Sequence, residues 1–371
     1  MNFKRIFFVA IVLVLAMSMQ SQNVHREEEV FSDKHFLNWL SANGETPWAF
    51  SDMPDSSKLF YVGRYYSEQD DYEKSIEYYS KALELTQSDE GRARIYYNLG
   101  NNFLSKHNYD KAIENFNKAS ELSQDAELKA QIFYNLGIAC AEKEDNDKAI
   151  DYYNKALEIC QDTTLRTKIL ANLGIEYSMK QDYDKAISCY NKLLEVSQNI
   201  KEKSITYYLL GFAYRNKEND KIAIEYYKKS LELSQDSAII ANVYYNLEDI
   251  YFYKQDYDKA IEYTQKLIDL KPNDAATYGT LSWFLILKKE FEKAEEAARK
   301  GLLLDETQNW IYTNLVAALL FQGRYDEAIK SFEKLTSIEG LQEDFEKYEE
   351  AGIIPEERKA EVEKFRELLK Q

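Results

Sequence analysis

Tyr97-Asn98-Leu99-Gly100 returns as Tyr134-Asn135-Leu136-Gly137 and again as Ala171-Asn172-Leu173-Gly174, each copy 37 residues after the last, and Leu209-Leu210-Gly211 follows at the same step. Downstream of each glycine sits a second phrase: Asp110-Lys111-Ala112-Ile113, Asp147-Lys148-Ala149-Ile150, Asp184-Lys185-Ala186-Ile187. Its third position runs through Ser75, Ala112, Ala149, Ala186, Ala223, Ala260, Ala294 and Ala328, in five steps of 37 residues and two of 34. A fixed period in this range marks a repeat architecture. Eight units start near Ser56, Ala93, Ala130, Thr167, Ser204, Ala241, Ala275 and Asn309. Each holds two apolar patterns of period 3.6 split by a polar break, which predicts a helix, a turn and a helix.

The letters resemble the tetratricopeptide repeat, whose 34-residue unit has small residues at positions 8, 20 and 27 and aromatics near 11, 17 and 24. Counted from Ala93, those slots hold Gly100, Ala112 and Ala119, then Phe103, Tyr109 and Phe116; counted from Ala130, they hold Gly137, Ala149 and Ala156, then Cys140, Asn146 and Tyr153. The match spans roughly residues 56–338. Small residues let the two helices of a unit approach closely, and aromatics at 11 and 24 are expected to fill the space between neighbouring units. Tyrosine at 17 (Tyr72, Tyr109, Tyr183, Tyr257, Tyr325) is expected in the turn, its ring packed and its hydroxyl wet. The Asp or Asn before it (Asp71, Asn108, Asp145, Asp182, Asn219, Asp256) suits a helix start. The resemblance implies an all-α fold, a right-handed α-solenoid of about eight helix-turn-helix repeats.

Three departures carry expectations of their own. Only one unit boundary has the family's proline, Pro272. The others read Ser123-Gln124-Asp125 or Ser234-Gln235-Asp236 and hold three extra residues, nearly one turn, so one helix of each long unit is expected to be extended. Finally, position 8 of the sixth unit is Glu248, a carboxylate that either snorkels outward or lines the groove.

Outside the repeats, residues 1–21 read as a signal peptide. Lys4-Arg5 precede the apolar run Ile6 to Met17, which is short for a membrane span, and Ala16, Ser18 and Ser21 are small. No cysteine lies there for a lipid anchor. The expected location is therefore periplasmic or secreted, with an uncleaved anchor as the alternative. Residues 22–55 form an N-terminal segment, partly disordered or holding a capping helix near 33–42 that covers the first unit or folds back into its groove. Residues 339–371 are expected to cap the far end with two helices broken at Gly352 and Pro355, since a solenoid must end on a polar outer face.

The formal net charge of −17 disfavours nucleic acid and anionic lipid as partners. Cys140, Cys160 and Cys189 have no metal or redox spacing and read as small buried side chains. Neither phosphate-loop motif occurs, and His25, His35 and His107 are scattered. The chain is thus expected to be non-enzymatic, with no cofactor and no metal.

In tetratricopeptide arrays the first helices line the concave groove through positions 2, 5, 6, 9, 12 and 13. Position 6 here holds Asn98, Asn135, Asn172, Asn246 and Asn314, and position 5 holds Tyr97, Tyr134, Tyr208 and Tyr245. Amides offer donor and acceptor to an extended peptide backbone, and tyrosines add flat contact area at low entropic cost. A family clamp for peptide carboxylates is matched only in part: its five slots hold Tyr97, Asn101, Asn135, Lys168 and Asn172, lacking two of three cations. The expected function is an exported scaffold holding a protein or peptide ligand in this groove. A glycan-binding surface protein, or a periplasmic sensory or adaptor module acting with a membrane-protein partner, are the alternatives.

Overall fold

The computed structural model describes residues 30–337 and 341–369. The expected signal peptide lies outside them. Among the described residues there are twenty α-helices, one 3-10 turn and no strand, and no helix is long and apolar enough to cross a membrane. The described residues form two compact bodies, divided between Lys192 and Leu193.

The first body opens with α1 (Lys34–Ala42) and α2 (Pro47–Ser51). Helix pairs follow: α3 (Asp55–Glu68) with α4 (Tyr72–Leu85), α5 (Asp89–Ser105) with α6 (Tyr109–Leu122), α7 (Ala126–Ala141) with α8 (Asn146–Ile159), and α9 (Thr163–Met179) with α10 (Tyr183–Val196), within which the division falls. The second body continues with α11 (Ile200–Asn216) and α12 (Asp220–Leu233), α13 (Ser237–Tyr253) and α14 (Tyr257–Leu270), α15 (Ala275–Leu287) and α16 (Phe291–Leu304), then α17 (Asn309–Phe321) and α18 (Tyr325–Phe332). Consecutive helices pack in both bodies, the arrangement of an α-solenoid.

The three extra residues of the long units extend the first helix. It runs 17 residues in α5, α9, α11 and α13, against 13 in α15 and α17, while the second helices α4, α6, α8, α12, α14 and α16 stay at 14. The boundary letters explain where the extension begins. Asp125, Asp162 and Asp236 are N-caps whose carboxylates accept backbone N–H groups of the first turn. Ser123 and Ser234 in turn accept the N–H of Asp125 and Asp236. In the first six units Asp71, Asn108, Asp145, Asp182, Asn219 and Asp256 cap the second helix, each accepting the N–H three residues on. The residue just before this cap has a left-handed backbone in all eight units, at Asp70, His107, Glu144, Gln181, Glu218, Gln255, Lys289 and Gly323.

The position-24 ring faces the next unit, Phe116 clustering with Ile132 and Leu136 and Tyr153 with Ile169 and Leu173, and it also packs beneath the position-8 glycine of its own unit. A Cβ added at Gly63, Gly100, Gly137, Gly174 or Gly211 would lie 2.4–2.7 Å from the ring of Tyr79, Phe116, Tyr153, Tyr190 or Tyr227, always 16 residues on. These five rings are among the largest fully buried side chains, each worth about 1.5–3 kcal/mol of burial. Lysines at the end of one unit's first helix reach acids of the previous unit, Lys106 to Glu73, Lys143 to Asp110 and Lys180 to Asp147. These pairs are exposed and add little. Cys140, Cys160 and Cys189 are buried thiols, and burial pushes all three up, Cys189 to about 11. They serve as small core side chains rather than nucleophiles.

Both ends are covered. Phe36 and Leu40 of α1, with Phe50, are buried against Leu59 and Val62 of the first unit. At the other end α19 (Leu341–Glu350) and α20 (Lys359–Leu369) bury Phe345 and Phe365, which meet Phe321 and Phe332 at 6.0 and 5.2 Å between ring centres. Glu363, Lys364 and Glu367 remain exposed on the outside of α20.

Candidate functional site

Because the second helix of each unit backs the first, the free side of α3, α5, α7 and α9 presents positions 2, 5, 6, 9 and 13. In the first unit this row is already engaged by the chain itself. Trp39 donates from Nε1 to Glu68 at 2.6 Å, the Tyr61 hydroxyl donates to Glu45 at 2.7 Å, and Arg64 donates from Nη2 to Asn43 Oδ1 at 2.9 Å. Tyr61, Arg64 and Glu68 are positions 6, 9 and 13, so the N-terminal segment both caps the first unit and lies on this row.

The next three units carry a ladder of amides and phenols. Asn135 donates from Nδ2 to Asn101 Oδ1 at 2.7 Å and to the Tyr97 hydroxyl at 3.4 Å, one unit back. Asn172 repeats the step, donating to the Tyr134 hydroxyl at 3.4 Å and to the Tyr153 hydroxyl, also at 3.4 Å. All five side chains around these contacts other than Tyr153 are half-buried. The bonds consume N–H groups only, and among the described residues neither Asn135 Oδ1 nor Asn172 Oδ1 has a donor. Burial raises Tyr134 and Tyr153 above the ordinary tyrosine value, so the ladder is uncharged at neutral pH. Asn98 stands apart, its amide turned back to the Arg94 carbonyl at 2.7 Å, and Lys168 is exposed beside the row.

In the second body the row is less regular. Asn246 donates to the Asn242 carbonyl at 2.7 Å and accepts from the Tyr227 hydroxyl at 3.0 Å. Tyr208 is half-buried, and Tyr245 is exposed, its hydroxyl 3.4 Å from Asp274. Asn314 corrects the expectation of a groove amide: it is buried and donates to the Gly279 carbonyl at 3.0 Å. The reason is local. Position 5 of the seventh unit is Gly279 rather than tyrosine, the Trp310 indole lies over it, and the freed space lets Asn314 reach the backbone of the previous unit.

Sequence reasoning missed the apolar members of the row. Ile175 and Met179, at positions 9 and 13 of α9, are 39% and 64% exposed. In the second body Phe212 of α11 and Tyr253 of α13 are exposed at the same positions. Their signal was present, since apolar letters at outward-facing helix positions have no core to enter. Tyr153 and Tyr227 were missed differently, because a position-24 ring reads as core while its hydroxyl reaches the groove amides.

Profiles of the tetratricopeptide repeat match residues 56–125, 91–162, 128–199, 202–273 and 311–340. No curated protein sequence matches the chain. Among solved structures, the C-terminal part of a TPR repeat-containing protein from Cytophaga hutchinsonii is similar at 20% identity with a TM-score of 0.59, covering 69% of this chain and 99% of that one. A tetratricopeptide repeat protein from Parabacteroides merdae is similar at 20% identity and a TM-score of 0.48, with coverage of 68% and 96%. YrrB, described as a TPR protein with an unusual peptide-binding site, is similar at 24% identity and a TM-score of 0.43, with coverage of 55% and 94%. With repeat profiles covering more than half its length and a solenoid of matching register, the chain belongs to the tetratricopeptide repeat family.

Proposed function

We propose that the chain is an exported, non-enzymatic scaffold that holds an extended segment of a partner protein along its first helices. One observation carries the reading: Asn135 and Asn172 are fixed by donating to the preceding unit, which leaves each Oδ1 as an acceptor for a peptide N–H. Two preorganised acceptors on successive units suit a backbone with repeating donors, and the flanking Tyr97 and Tyr134 supply flat, neutral contact area. The engagement of Trp39 and Glu45 by the first unit supports it, since that row already takes a segment of chain.

The test is selection of binding peptides from a displayed random library against the wild-type protein, followed by titration of N135A/N172A. Loss of binding by a double variant that still unfolds cooperatively is expected, with a thermal midpoint lowered by the lost bonds between units, and equal binding by the double variant overturns the reading. Export is checked separately by intact mass of the protein recovered from the cell envelope or medium; removal of about the first 21 residues is expected.

A further inference from the structure

On the side of the units opposite the groove, aromatic rings and lysines alternate with the same register. In the sixth unit the Tyr263 ring lies between Tyr251, stacked at 5.7 Å and 7°, and Tyr244 at 5.9 Å. Lys259 covers Tyr251 at 4.8 Å and Lys266 covers Tyr263 at 4.6 Å. The fifth unit repeats the stack, with Tyr226 between Tyr214 at 5.5 Å and Tyr207 at 6.0 Å, under Lys229. The central ring is position 23, its flanks are positions 4 and 11, and the covering lysine is position 26.

In the seventh unit one flanking ring and the lysine remain, the other flank is a leucine, and the central ring is gone. Position 4 is Tyr278, position 11 is Leu285, Lys300 lies 4.8 Å over Tyr278, and position 23 is Ala297. A cleft of about 440 Å³ opens there, floored by Tyr278, Leu285 and Ala297 and walled by Ile261 and Ile268 of α14. Ala297 and Tyr278 are only 6% and 4% exposed, at the base of the cleft. Its cation also differs. In the sixth unit Lys266 pairs with Glu262 at 2.6 Å, four residues back, as Lys118 pairs with Glu114 and Lys155 with Asp151. Lys300 has Glu296 at that spacing and on the same cleft, yet among the described residues it has no carboxylate partner. Of the other rim charges, Lys288 and Lys293 both bind Glu290, at 2.8 and 2.7 Å, and Lys288 also binds Asp258 at 2.5 Å.

We propose that this cleft is a binding site for a small aromatic monocarboxylate. The ring takes the place that Tyr263 and Tyr226 fill in their own units, between Tyr278 and Leu285, and the carboxylate goes to Lys300. With Lys288 and Lys293 paired, Lys300 is the rim lysine that has no carboxylate partner among the described residues, on a chain of net charge −17. The size is that of small-ligand sites, the lining is half apolar and half polar or charged, and an aromatic ring under a lysine gains a cation–π contact that an aliphatic ring lacks.

The site is tested by titrating the full chain with 4-hydroxyphenylacetate, read by calorimetry and by backbone NMR shifts at Tyr278, Ala297 and Lys300. Saturable binding is expected, weakened about fivefold for cyclohexylacetate, which keeps the charge without the ring face, and by a similar factor in K300M. A297Y, which rebuilds the missing ring, should abolish binding and raise the thermal midpoint; if A297Y fails to fold, A297L serves the same purpose. Absence of saturation up to about 10 mM, a weakness corresponding to under about 3 kcal/mol of affinity, overturns the site. So does unchanged binding by the ring-filling variant. Equal binding of tyramine, a cation, overturns the carboxylate.

Discussion

The Thr264 hydroxyl donates a 3.0 Å bond to Glu248 Oε2, and these two residues occupy the positions that hold a glycine and an aromatic ring in the first five units. The carboxylate therefore neither snorkels outward nor lines the groove, as its letter alone suggested. The glycine notch has been filled by a longer side chain, and the ring that filled the notch has been cut back to a threonine. The two replacements compensate in volume, and the Ala260 carbonyl, 2.9 Å from the Thr264 hydroxyl, is a second acceptor for the same proton. T264Y alone should press a ring against Glu248 and cost about 1–3 kcal/mol. E248G/T264Y recreates the arrangement of Gly211 and Tyr227 and should recover most of that loss, a coupling of about 1–3 kcal/mol. Urea midpoints of the wild type, both single variants and the double variant measure it; strictly additive losses would refute the pairing.

The same residue gives stability a pH dependence. Loss of hydration around Glu248, with the neighbouring Asp249 charge, raises its carboxyl to about 7, while the Thr264 bond opposes the shift. An acid whose folded pKa is raised binds its proton more tightly when folded. Its contribution is present below the unfolded value and is lost as pH rises through about 7. The loss is on the order of 2–3 kcal/mol. E248Q should thus be more stable than the wild type near about pH 8, with the difference shrinking toward about pH 5. Thermal midpoints of the two proteins across that window give the difference curve, and a flat difference would show that Glu248 stays ionised throughout.

Gly137 and Tyr153 test the notch where it is intact. A methyl group at Gly137 would lie 2.4 Å from Tyr153 Cε1, and the ring is 1% exposed with little room to retreat. G137A should lower stability by about 1–3 kcal/mol despite alanine's better helix propensity. The Tyr153 hydroxyl also meets Asn172, so the same variant should disturb the amide ladder, visible as a shift of the Asn172 side-chain NH₂ resonances. A stabilised G137A protein would contradict the packing.

How much of this could be read from letters depends on whether one position or two had to be read. Helix caps such as Asn108 and Asp145 were legible singly, because an Asx before an apolar run has one structural use. The fold followed from repetition of such single positions. The Glu248–Thr264 exchange was illegible because each letter looks like an isolated lapse until the two are read 16 residues apart as a pair. Asn314 misled for a related reason: its register is that of Asn135, but its fate was decided by Gly279 and Trp310, which open the space beneath it. The amide ladder was half-legible. The sequence placed Asn135 and Asn172 in one row, but not the direction of their N–H bonds, which depends on how far each unit is set back from the next.

The turn within each unit was the least legible element, and it carries the last prediction. Seven of its eight left-handed residues are not glycine, and Lys289, at φ 61°, has none of the local bonding that lets Asn or Asp adopt this conformation. The backbone holds it there: Lys289 donates its N–H to the Ile286 carbonyl at 2.8 Å, and Glu290 donates to the Leu285 carbonyl at 2.9 Å. A left-handed L-residue costs about 1–2 kcal/mol, and glycine returns part of that gain through its greater freedom when unfolded. K289G should therefore stabilise the chain by about 0.5–1 kcal/mol. Q255G, at φ 57° in the preceding unit, should do the same. The urea midpoint of each variant decides it. A rise in both would place the strain in the turn residue itself, whereas a fall in both would mean that the side chains of Lys289 and Gln255 contribute more than their backbone costs.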